Sequence, residues 1–118
     1  MSTLEVSNLN DGTTTLATTY VTNGSAKAWN NVNQIGTQAI QDSFNISSIT
    51  DTAVGFTTNT FTSAMTNTVY SITACSEYNT MQGINTPATS SVGIVCMNSG
   101  IVYEDRNDAC IQIMGDLA

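Results

Sequence analysis

Val69-Tyr70-Ser71-Ile72-Thr73-Ala74-Cys75 decides the fold class. Tyr70, Ile72 and Ala74 recur at every second position, the period of a strand that buries one face. Working outward, Ala109-Cys110-Ile111-Gln112-Ile113-Met114 repeats that period, with Ile111 and Ile113 on one side and Gln112 on the other. Gly115-Asp116 stops it. Residues 91–97 are nearly all apolar and read as a strand covered on both faces. Gly55-Phe56-Thr57-Thr58-Asn59-Thr60-Phe61 is a weaker strand pattern, because its two aromatics fall on opposite faces.

Nearer the start, Ser25-Ala26-Lys27-Ala28-Trp29-Asn30-Asn31-Val32 reads as a strand carrying the sole Trp, with Lys27 and Trp29 on one face. Asp42-Ser43-Phe44-Asn45-Ile46-Ser47-Ser48-Ile49 reads as one further strand, ended by Thr50-Asp51. Asn23-Gly24, Ile35-Gly36-Thr37, Met65-Thr66-Asn67-Thr68 and the long stretch 76–90 supply the turns. No window carries a convincing helical stripe, and residues 37–44 form at most a short turn of helix. Short antiparallel strands joined by polar loops predict an all-β chain: an antiparallel, jelly-roll-like β-sandwich head over residues 23–118. Trp29, Phe44, Ile46, Phe56, Phe61, Tyr70 and Ile72 are the candidate core or subunit-interface residues.

Residues 1–22 differ. Leu4, Val6, Leu9 and Leu16 are scattered through Thr-rich chain that lacks the apolar surface for its own core. They predict an extended arm that attaches to another subunit or protein; a mobile tail is the plainer alternative.

Composition narrows function. The chain has no His and two basic residues, Lys27 and Arg106, so general acid–base work and phosphate binding lack their usual groups. Thr, Ser and Asn instead make up 45 of the 118 residues, and these hydrogen-bond without charge. A net charge of −7 disfavours nucleic acid and anionic lipid as partners. At 9% charged residues the surface gives little repulsion between copies, so neighbouring subunits are expected to cover part of it. No apolar run is long enough to span a membrane as a helix, and Met1-Ser2-Thr3-Leu4-Glu5-Val6 does not read as a secretory signal. No enzymatic activity, cofactor or metal is expected.

Three cysteines, Cys75, Cys96 and Cys110, cannot all pair within the chain. Buried or ordinary thiols and one intrachain disulfide both remain open. Glu104-Asp105-Arg106-Asn107-Asp108 holds three of the nine acids. It reads as a solvated turn in which Arg106 pairs with Asp105, Asp108 or a neighbouring subunit, a Ca²⁺ loop being the alternative. Trp29 is either packing or a platform for a pyranose ring. Tyr78, Asn79, Met81, Gln82 and Asn85, in the presumed loop 76–90, are the candidate receptor contacts, since Tyr and Asn suit adaptable recognition; a plain connecting loop is the alternative.

Val21-Thr22-Asn23-Gly24-Ser25-Ala26-Lys27-Ala28-Trp29 resembles a signature of small tail-fibre and receptor-binding proteins of tailed bacteriophages of the marine and cyanobacterial type. The likeness continues through residues 42–51, 56–65 and 69–72, and Ser2-Thr3-Leu4-Glu5-Val6 is similar to the attachment segment that opens such proteins. The resemblance implies a homotrimer on the virion, gripping another virion protein by its arm and contacting a host-surface glycan or protein with its head. A capsid decoration protein or head fibre is the rival expectation, and a cellular carbohydrate-binding or pilin-like module a third.

Overall fold

A computed structural model describes residues 1–77 and 80–118 as a mostly β chain whose strand pairs are all antiparallel. It opens with a hairpin of β1 (Asn8–Asn10) and β2 (Thr15–Ala17), followed by one short helix, α1 (Thr18–Gly24). The first four-stranded sheet contains β3 (Ala28–Asn33), β4 (Ala39–Phe44), β7 (Ser71–Ser76) and β10 (Ala109–Met114), in the order β4-β3-β10-β7. The second contains β5 (Ile46–Ala53), β6 (Phe56–Phe61), β8 (Thr80–Asn85) and β9 (Ser91–Asn98), in the order β5-β6-β9-β8.

One core joins the two sheets. Ala28, Ala109, Ile111 and Ile113 from the first meet Ile46, Phe61, Val92, Ile94 and Cys96 from the second, with Met65 closing one end. The patterns read in three strands hold. In β7 the half-buried Ile72 and Ala74 alternate with exposed Ser71, Thr73 and Cys75, and Tyr70 packs alongside. In β10 Ile111 and Ile113 point inward and Gln112 outward. In β9 residues 92–96 are all buried, as a strand covered on both faces requires. Ile46 and Phe61 lie in the core, while Phe56 faces outward and stacks at a tilt on Tyr103, ring centroids 4.7 Å apart.

Three expectations need correction. Residues 42–49 are two strands, because the chain crosses between sheets at Asn45, whose φ of 56° turns the backbone. The Asn45 side chain pins that corner: its amide donates to the carbonyls of Lys27 and Ser63, each at 3.0 Å. Residues 39–44 form β4, not a helical turn. The arm is a hairpin and helix rather than extended chain. Strands β3–β4, β5–β6 and β8–β9 are neighbours within a sheet.

The β5–β6 turn explains one of those hairpins. Gly55 has φ of +76°, and a Cβ there would lie 2.5 Å from the Cys96 carbonyl oxygen, so glycine alone fits. The turn is held from outside by Asp105, whose carboxylate accepts the Gly55 N–H at 2.6 Å.

Candidate functional site

In β3 the inward positions are Ala28, Asn30 and Val32, which sends Trp29 and Asn31 to the outer face of the first sheet. Registration with the neighbouring strands then builds two cross-strand rows there. One runs Phe44, Trp29, Gln112, Thr73; the other runs Asp42, Asn31, Cys110, Cys75. Trp29 is 37% exposed and Phe44 53%, so neither belongs to this chain's core, and the core part of that expectation is corrected. Their aromatic surface is presented outward instead.

Trp29, Asn31, Thr73, Cys75, Cys110 and Gln112 line a shallow concavity of about 310 Å³ on this face. Asn31 donates its amide to Asp108 at 2.9 Å, which fixes one wall to the loop before β10. Gln41 donates to the Asn107 carbonyl at 2.9 Å and ties β4 to that loop. The Cys110 thiol is pushed up to about 11, first by burial and next by the Cys75 thiol beside it. It stays protonated at neutral pH and is a poor nucleophile there. The lining thus presents an indole, amides, a hydroxyl and two thiols, with no cationic side chain among them.

The acidic stretch holds the body together. Arg106 pairs with Glu104 at 2.9 Å, which corrects the expected partners Asp105 and Asp108. Those two carboxylates accept from Gly55 and Asn31. Glu77 accepts the backbone N–H groups of Asn107 and Asp108 at 2.8 and 3.2 Å. Among the described residues no group of three or more His, Cys, Asp or Glu is placed to hold a metal ion.

The presumed contact loop is only partly a loop. Tyr78 and Asn79 lie outside the described residues. Met81, Gln82 and Asn85 belong to β8, an edge strand paired with β9. Gln82 turns its amide toward the buried Cys96 sulfur at 3.1 Å, a structural engagement rather than an exposed contact. Asn85 is exposed. Lys27 does not accompany Trp29; its ammonium donates to the carbonyls of Thr22 and Ser25 and closes the C-terminal end of α1.

A buried polar seam between the sheets escaped the sequence reading. Gln34 donates to the Thr57 hydroxyl at 2.9 Å and accepts the Arg106 backbone N–H at 3.1 Å. Asn30 donates to the Asn59 side chain, which donates to the Val92 carbonyl at 3.2 Å. Thr57 and Asn59 share the inward face of β6 with Phe61, and that shared phase was the available signal.

The arm has its own surface. None of residues 1–27 is buried, and Leu4, Val6, Leu9, Val21 and the stem of Thr18 line an open groove of about 660 Å³. Leu9 and Leu16 face each other across the hairpin, each more than 40% exposed. Neither protein-family models, nor curated proteins, nor solved structures provide a match to this chain.

Proposed function

We propose that this chain is a non-catalytic adhesive protein on the outside of a tailed-phage particle, a tail fibre or receptor-binding protein. It works as a homotrimer in which an antiparallel β-sandwich head carries the outer face around Trp29 and the N-terminal arm grips another virion protein. Adhesion is multivalent: weak contacts with a host-surface glycan or protein gain strength from several copies held together. Nucleic acid and membrane insertion have no part in it.

One observation carries the reading. The arm exposes Leu4, Val6, Leu9, Leu16, Tyr20 and Val21 without burying a single side chain. Apolar surface of that kind marks an interaction site when it is contiguous. A two-stranded hairpin is also marginal by itself in water, so its ordered form calls for a partner. The resemblance of residues 21–29 to tail-fibre proteins supplies the setting.

Sedimentation of the full chain and of a version lacking residues 1–24 tests the assembly. The full chain is expected to run as a trimer and the shortened one as a smaller species. A full chain that is monomeric at micromolar concentration refutes the arm's role. Antibody labelling of intact particles tests the location: label on the tail supports the fibre, and label on capsid faces replaces it with a decoration protein.

A further inference from the structure

Cys75 and Cys110 are directly opposed on neighbouring antiparallel strands, β7 and β10. Opposed residues in such a pair have Cα atoms about 4.5–5.5 Å apart, inside the roughly 4.4–6.8 Å window of disulfides. Both side chains leave the same outer face and line the same concavity, Cys75 exposed and Cys110 partly so. Cys96 stands apart, fully buried within β9 of the other sheet with Gln82 bonded to its sulfur. The odd cysteine count thus resolves into a matched pair and a single inaccessible thiol.

We infer that Cys75 and Cys110 are a dithiol site that a small external disulfide, such as oxidised glutathione, converts to a cross-strand disulfide while Cys96 stays reduced. The more exposed Cys75 reacts first. As its thiolate it attacks one sulfur of the external disulfide, forms a mixed disulfide and releases one small thiolate. Cys110, ionised in only a small fraction of molecules at any moment and more readily in mildly alkaline buffer, then loses its proton to water and as its thiolate attacks the Cys75 sulfur. The Cys75–Cys110 bond forms, the mixed bond breaks, and the second small thiolate leaves. Two electrons pass from the cysteine sulfurs to the external disulfide, and the two released protons end on its two thiols. The bond fastens the edge strand β7 to β10 beside Trp29, whatever partner the protein serves.

The test exploits the two basic residues. Trypsin cuts after Lys27 and Arg106, which separates peptide 107–118, carrying Cys110, from peptide 28–106, carrying Cys75 and Cys96. The full chain is held in oxidised glutathione, blocked with an alkylating reagent in denaturant, and digested without reductant. The intact protein is expected to lose the mass of two hydrogen atoms, to take up one alkyl group, and to keep peptide 107–118 linked to 28–106. Cys96→Ser should retain that link. Cys75→Ser, a change on the exposed face that leaves the core intact, should abolish it. Release of 107–118 from the oxidised wild-type chain overturns the proposal, as does a link that survives Cys75→Ser, or disulfide-linked dimers in place of the internal bond.

Discussion

The hairpin and helix of residues 1–27 and the two-sheet body are made of similar Thr-, Ser- and Asn-rich chain, yet one buries nothing and the other builds a core. The difference lies in registration. In the body, alternate apolar positions of β7, β9 and β10 face the core from two sheets, so each buried side chain is enclosed from several sides. In the arm, Leu9 opposes Leu16 with no second layer to close over them. Composition alone does not distinguish the two regions; the number of layers does.

Truncating one apolar residue in each region breaks or confirms that contrast most forcefully. Ile94 is fully buried at the centre of β9, and Ile94→Ala should destabilise the body by about 2–5 kcal/mol through lost transfer energy and a residual cavity. Leu9→Ala removes nearly as much apolar surface from a half-exposed site and should change the body's unfolding free energy, read from urea titration, by less than about 0.5 kcal/mol. Its effect belongs in the sedimentation profile. Equal losses from the two variants would mean that the arm folds into the body's cooperative unit.

What was legible in the sequence follows the same line. β7, β9 and β10 were readable because burial imposes a period or an unbroken apolar run on them. The crossing at Asn45 was not, since Ser43-Phe44-Asn45-Ile46 keeps a strand-like composition while one positive φ redirects the chain. Helix α1 was hidden by Thr, Tyr and Val, which are indifferent helix formers, and is closed from outside by Lys27. The outer face around Trp29 and the Cys75–Cys110 pair depend on strand registration between segments far apart in sequence, which no local pattern encodes.

The second test concerns the titrating thiols of the body. Burial pushes Cys96 from its ordinary 9.0 up to about 11, and burial followed by the Cys75 thiol does the same for Cys110, with Asp108 and Cys96 adding to it. An unfolded thiol ionises near 9, whereas the folded chain keeps its proton to about 11. Stability is therefore whole below pH 9 and declines as pH rises towards 11, by at most about 2 kcal/mol per thiol. Tyr70, raised by burial, adds a loss of the same sign above 10. Urea midpoints measured from pH 8 to 11 should fall in the wild type and fall less in Cys96→Ala. Parallel curves would show that Cys96 is not held protonated by its surroundings.

The smallest effect lies in the arm and has the opposite sign with pH. Asp11 accepts the backbone N–H groups of Thr14 at 2.7 Å and Thr13 at 2.9 Å, and these bonds hold its carboxyl below the ordinary 3.8. The bonds favour the charged form, so their contribution is present above pH 3.8 and disappears as pH falls through the lowered value. The turn between β1 and β2 should loosen in that acid window. Amide chemical shifts of Thr13 and Thr14 followed from pH 6 to 2 would register the change, and Asp11→Asn should flatten it. A midpoint at or above 3.8 would mean that the carboxylate does not hold the turn. The hairpin would then owe its shape to β1–β2 pairing and to the partner that covers it.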